Sequence, residues 1–237
     1  KSEIINNIQT NGKVILNRDD KFFKYLNAKA KQRNIKVISF GKSIKSDIQL
    51  VRTIQNRKMK KIIVRIHKET LKLEIKNINV YNILASLATL TELNLNFKKI
   101  ISEFKNFYPS DGRGRLHNIR RYKKNFKLID ESYNANPLSV KNALNNFSEI
   151  KKYNFKKYLL LGDMLELGKK SDVYHKQLSK LINISDIDKV FIKGEKSFFT
   201  YKNLIKEKRG NILQCNGDID IILKNIIANN DYLMIKG

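Results

Sequence analysis

Two short stretches carry side chains whose types and spacing suit ligand chemistry. The first is Asp130-Glu131-Ser132-Tyr133-Asn134-Ala135-Asn136-Pro137, and the second is Gly162-Asp163-Met164-Leu165-Glu166-Leu167-Gly168. Each sets two carboxylates in a polar turn, and the first adds two amides and a phenol. Carboxylates accept from sugar hydroxyls or an ammonium, while an amide donates and accepts at once, as a purine edge or a peptide requires. Both stretches follow short apolar runs, 127–129 and 158–161, that read as strands, and Pro137 opens an amphipathic helix with proline in its first turn. In open α/β sheets ligands bind at such strand ends, where helix N–H groups and loops converge. Two polar loops on one sheet edge therefore point to one site.

The elements that must position these loops follow from periodicity. Strand and helix patterns alternate from residue 137 onward: helix 137–150, strand 157–161, helix 172–182, strand 189–192, helix 197–208, strand 211–214, helix 218–228 and strand 232–235. Repeated units of this length predict an α/β, Rossmann-like, doubly wound and mainly parallel sheet. No Gly-x-Gly-x-x-Gly is present, which argues against a nicotinamide enzyme. A hairpin, 116–119 with 126–129, precedes this region. Upstream, the patterns predict a helix over 2–9, a strand over 13–16, a helix ending near 33 and a strand over 35–40. Alternation over 47–54, 61–66 and 70–75 predicts an antiparallel sheet with one covered face, followed by helices over 80–93 and 97–107. The turn Tyr108-Pro109-Ser110-Asp111 divides the chain into domains 1–110 and 111–237.

Gly41-Lys42-Ser43 ends a strand and looks like the tail of a phosphate loop, but Lys36 stands where that pattern needs its first glycine. An ordinary turn is expected there. His67 and His117 have no neighbours at metal-ligand spacing and are assigned no role.

Composition bounds the partners. A formal net charge of +26 invites a nucleic-acid reading, yet the 48 Lys and Arg residues are scattered in ones and twos. Dispersed charge reads as solvated surface, with a basic nucleic-acid-binding module as the alternative. No run approaches the ~18 apolar residues of a membrane span, and no N-terminal signal pattern is present. Cys215 is the single cysteine, so no intramolecular disulfide forms and a reducing, cytoplasmic setting is expected. Lys1 opens the chain without Met, and Gly237 ends it directly after an apolar strand, so a fragment of a longer protein is expected.

The segments Ile129-Asp-Glu-Ser-Tyr-Asn-Ala-Asn-Pro137 and Leu161-Gly-Asp-Met-Leu-Glu-Leu-Gly168, with Gly112-Arg113-Gly114 upstream, resemble the Mur ligases of peptidoglycan synthesis, and among them the D-alanyl-D-alanine-adding branch. The resemblance extends over nearly the whole chain. It implies the C-terminal portion of a central ATPase domain followed by a Rossmann-like domain, with the phosphate loop and N-terminal domain upstream of Lys1. It implies ATP and Mg²⁺, and amide formation between a UDP-N-acetylmuramoyl tripeptide and D-alanyl-D-alanine through an acyl phosphate. A cytoplasmic monomer without nucleic acid follows, with the 237 residues inactive alone. Another Mur-type or folylpolyglutamate-type ligase is the sibling alternative.

The resemblance also implies roles for particular side chains. Lys1 would be carbamylated and hold Mg²⁺, its alternative being a surface lysine. Asn79 and Asn82 match an Asn-x-x-Asn pattern that meets adenine, with Ile78 in place of the family's His; Asn79 also reads as a helix cap. Arg113 would contact ATP phosphates, and Glu131 the ribose or phosphate region. Tyr133, Asn134 and Asn136 would line the substrate side, with capping as the other reading of Asn136 and Asp130. Asp163 and Glu166 would receive the ammonium of the incoming dipeptide or cap their loop. His175 would contact substrate or lie on the surface.

Overall fold

Apolar residues at every second position place Ile62, Val64 and Ile66 on the same sheet face as Leu71, Leu73 and Ile75, and a helix with apolar residues at helical spacing covers them. The computed structural model describes residues 2–55, 60–75, 79–215 and 217–237, and the chain forms two compact units, Lys1–Tyr108 and Pro109–Gly237.

The first unit runs α1 (Ser2–Asn6), β1 (Lys13–Asn17), α2 (Phe23–Gln32), β2 (Lys36–Gly41), β3 (Ile48–Gln55), β4 (Lys60–Ile66), β5 (Glu69–Ile75), α3 (Val80–Glu92), α4 (Phe97–Ile100) and α5 (Glu103–Asn106). Its strands form one sheet in the order β1-β2-β3-β4-β5. The expected antiparallel meander is there as β3, β4 and β5, but it is continuous with the parallel pair β1 and β2 through Phe40↔Ile48 and Gly41↔Gln49. Ile83, Leu84, Leu87 and Ala88 of α3 close the core over it. The helix expected over 97–107 is two short helices, α4 and α5, and Ile101 and Phe104 beside the break both pack on that core.

The second unit runs β6 (Arg115–Arg121), β7 (Lys124–Glu131), α6 (Pro137–Ser148), β8 (Lys157–Leu161), α7 (Ser171–Ile184), β9 (Lys189–Ile192), α8 (Ser197–Lys202), β10 (Arg209–Ile212), α9 (Gly217–Asn225) and β11 (Tyr232–Lys236). Strand order is β10-β9-β8-β11-β7-β6, parallel except for β6 against β7. Helices α6 and α7 bury Val140, Leu144, Phe147, Leu178 and Ile182 in one core, while Ile222, Leu223 and Ile227 pack with Tyr158, Phe191 and Leu233 in another. This is the predicted doubly wound sheet. The helix expected over 197–208 stops at Lys202, because Lys208 is drawn inward, donating to the carbonyls of Ser185 and Ile187 beyond the end of α7. The last strand, β11, inserts between β7 and β8. That insertion puts the loops after β7 and β8 on either side of the end of β11.

Candidate functional site

Asp130, one residue before the end of β7, builds the turn that follows. Its Oδ1 accepts from the Ser132 backbone N–H at 3.2 Å and the Ser132 hydroxyl at 2.6 Å, and its Oδ2 accepts from the Gly112 N–H at 2.9 Å. Burial works to raise this carboxyl's pKa, but the Ser132 and Gly112 donors, with His117 nearby, outweigh it and the net shift is downward. Two backbone bonds, Tyr133 N–H to Gly112 O at 3.0 Å and Gly114 N–H to Asp130 O at 2.7 Å, zip the Gly-Arg-Gly turn onto the same loop. Gly112 and Gly114 have φ of +75° and +88°. A Cβ on the first would lie 2.8 Å from Tyr133 Cβ, and one on the second 2.8 Å from Glu131 Oε1, so both positions demand glycine.

The consequence is a presented guanidinium. Arg113 Cζ sits 4.0 Å from the Tyr133 ring centroid, and both side chains are exposed. A fork stacked on an aromatic face is pre-organised for a phosphate or carboxylate. Glu131 lies half-buried, its Oε1 against Gly114 of the same turn. Burial pushes its carboxyl up, opposed by Lys236 and assisted by Asp130. Asn136 is the N-cap of α6 in a reciprocal capping box, its Oδ1 accepting from Ser139 N–H at 2.9 Å while Ser139 Oγ accepts from Asn136 N–H at 3.0 Å. Asn134 is exposed, and its carbonyl accepts from Lys236.

The loop after β8 is organised differently. Asp163 Oδ1 accepts from Ser197 N–H at 2.7 Å and Oδ2 from Lys196 N–H at 3.2 Å, so this carboxylate ties its loop to the start of α8. Glu166 is exposed, with φ of +60°. His175 corrects both expectations for it. The ring is 0% exposed, its Nε2 accepts from Met164 N–H at 2.9 Å and its Nδ1 lies 2.9 Å from Ser171 O. An Nε2 that accepts leaves the proton on Nδ1, which donates to Ser171 O, so both ring nitrogens are used inside the unit. Apolar neighbours on α7 carry the ring inward, and it holds up the loop rather than meeting solvent or substrate.

In the first unit Asn79 is the N-cap of α3, its Oδ1 accepting from Tyr81 N–H at 2.9 Å, and Asn82 is exposed in the first turn. Tyr81 OH donates to Asp19 at 2.9 Å; burial and this carboxylate push the phenol up to about 12. The N–H groups of Lys42 and Ser43 also donate to Asp19, at 2.6 and 3.2 Å, so the Gly41-Lys42-Ser43 turn already cradles a carboxylate of its own chain. Lys1 and Ile78 lie outside the described residues. Among the described residues no three His, Cys, Asp or Glu side chains group to hold a metal ion, and no helix is long and apolar enough to cross a membrane.

The Mur ligase middle domain matches residues 1–90, and the domain described as Mur ligase, glutamate ligase domain matches residues 114–237. The chain belongs to the Mur ligase family. A UDP-N-acetylmuramoyl-tripeptide--D-alanyl-D-alanine ligase from Buchnera aphidicola (subsp. Baizongia pistaciae) is 26% identical over 241 residues, covering 99% of this chain and 49% of the relative. The Bacillus subtilis ligase of the same name is 38% identical over 79 residues, 33% of this chain and 17% of the relative. Among solved structures, the MurF ligase from Thermotoga maritima in complex with ADP superposes with a TM-score of 0.80 at 18% identity, over 99% of this chain and 52% of that one. MurF from Acinetobacter baumannii gives 0.81 at 20% identity, over 100% of this chain and 51% of that one. The chain thus spans about half the length of these solved structures, and half or less of the curated relatives.

Within this Mur ligase fold the candidate residues Arg113, Glu131, Tyr133, Asn134 and Asn136 come together at one strand end. Sequence reasoning missed Lys236, which lies beneath them. Its only signal was a charge closing the apolar run Tyr232-Leu-Met-Ile.

Proposed function

We propose that the full-length protein is an ATP-dependent carboxylate–amine ligase that joins D-alanyl-D-alanine to a UDP-N-acetylmuramoyl tripeptide, acting as a cytoplasmic monomer. The reading rests on the Arg113–Tyr133 stack, presented by a turn whose glycines pack against Tyr133 and Glu131, in a chain whose relatives bear that ligase's name.

Each unit carries side chains of the kind that part of a nucleotide requires. Asn82 is an exposed amide suited to an adenine edge, with Asn79 shaping the same helix start. Arg113 offers its fork to phosphate oxygens, and the half-buried Glu131 accepts from ribose hydroxyls or frames the phosphates. Tyr133 and Asn134 flank the acceptor side, with Asn136 fixing the helix behind them. Asp163 and Glu166 supply negative charge near an incoming ammonium, the first also bracing α8.

In the reaction ATP phosphorylates the terminal carboxylate of the tripeptide, releasing ADP. The dipeptide amine then attacks the acyl carbon and phosphate leaves, so one amide forms for each ATP consumed. Charge develops on the transferring phosphoryl group, and a fixed guanidinium stabilises it without reorganising. Mg²⁺, held with the help of a carbamylated Lys1, would neutralise phosphate charge when bound.

The test is phosphate release by the complete gene product with ATP and UDP-muramoyl tripeptide, with and without D-alanyl-D-alanine. Release that depends on the dipeptide is expected. Folded protein that binds both substrates yet shows no such dependence overturns the reading.

A further inference from the structure

Lys236 is the last residue of β11, in register with Glu131 on β7 and with Leu161 on β8. It is 2% exposed. Its ammonium donates to Glu131 O at 3.0 Å and to Asn134 O, and stands 3.8 Å from Glu131 Oε2. Its own carbonyl accepts from Gly162 N–H at 2.7 Å. One residue therefore touches the loops after both β7 and β8. Burial pushes the ammonium's pKa down, with Glu131 opposing the shift. A buried cation is kept only where it has partners, and a leucine here would leave two carbonyls of the turn without this donor.

We propose that Lys236 is a positioning residue for nucleotide binding: it pins the 131–134 turn from below and holds the Glu131 side chain in place at the strand end. It touches no reacting atom itself. The proposal rests on reading Glu131 as a nucleotide contact. The charged groups facing Glu131 are Lys236 from β11 and Asp130 from its own strand, with His117 of β6 acting on Asp130. Lys236 is the cation among them that contacts Glu131, so its loss drives the Glu131 carboxyl further up.

The experiment uses the full-length protein and measures KM for ATP, kcat and the pH profile for Lys236→Met, Lys236→Arg and Glu131→Gln, beside Lys124→Met. Lys124 also donates to three backbone carbonyls, Leu223, Lys224 and Ile227, but at the C-terminal end of α9. Misplacement of a binding group by an ångström costs up to ~100-fold, so Lys236→Met is expected to raise KM for ATP by about 10- to 100-fold with kcat within about threefold. Its acid limb moves to higher pH. Lys236→Arg keeps the charge and the acid limb but raises KM, because a planar fork does not seat on both carbonyls as an ammonium does. Lys124→Met lowers the thermal midpoint and leaves KM for ATP unchanged. If Lys236→Met fails to fold, Lys236→Arg with unchanged KM overturns the proposal by itself. An effective Glu131→Gln beside a silent Lys236→Met overturns the role of Lys236 alone. A silent Glu131→Gln overturns the nucleotide reading of Glu131, whatever Lys236→Met does.

Discussion

The end of β7 and the loop after β8 lie at the same sheet edge, flank the same strand and each carry two carboxylates, yet they are built on opposite principles. After β7, the carboxylate within the strand, Asp130, folds the turn through three donors, and a buried ammonium supports it from below. After β8, Asp163 reaches sideways to the start of α8, and the support from below is a neutral imidazole. In both stretches the first carboxylate along the chain is spent on structure. The difference lies in what is left over: Glu131 is half-buried beside a cation, whereas Glu166 stands in solvent. The first loop is thus the one whose charge the fold controls.

His175→Ala breaks the comparison hardest. It removes a fully buried ring and strands the Met164 N–H, and about 3 kcal/mol should be lost, read as a lower urea midpoint. If the loss is negligible, the loop after β8 does not depend on its imidazole. Next, Asp163→Ala is expected to cost about 2 kcal/mol through two charged-acceptor bonds, while Glu166→Ala stays within about 0.5 kcal/mol. Equal effects would erase the distinction between a carboxylate used in structure and one left exposed.

The smallest effect sharpens the contrast inside the first loop, through pH. Asp130 has a depressed pKa in the fold, so the stability it contributes is present above its ordinary value and is lost as pH falls through the folded value. Glu131 has a raised pKa, so its contribution is present below its ordinary value and is lost as pH rises through the folded value. Asp130→Asn should therefore lower, and Glu131→Gln raise, stability near neutral pH, with the gaps closing in acid. Urea midpoints across that range check the sign, and shifts in the same direction would sink the assignment.

Much of this was legible because it is local. Period-two alternation marked β4 and β5, Pro137 and Asn136 marked the start of α6, and the two glycines around Arg113 marked a turn that no other residue fits. The break between α4 and α5 and the early stop of α8 were not legible, since an apolar pattern alone continues through both. His175 was misplaced for a related reason: a lone histidine on an amphipathic helix has no sequence mark telling a buried, doubly bonded ring from an exposed one.

What the sequence by itself determined is most of the strands and longer helices, the caps of α3 and α6 and the polar loops at the strand ends, all set by contacts within a few residues. The tertiary structure alone decided which loops became neighbours. Lys236 and Glu131 are 105 positions apart, and only the insertion of β11 between β7 and β8 brings an ammonium under that turn. Strand order is a property of the packed sheet, where burying both faces selects one arrangement among many that the same local patterns allow.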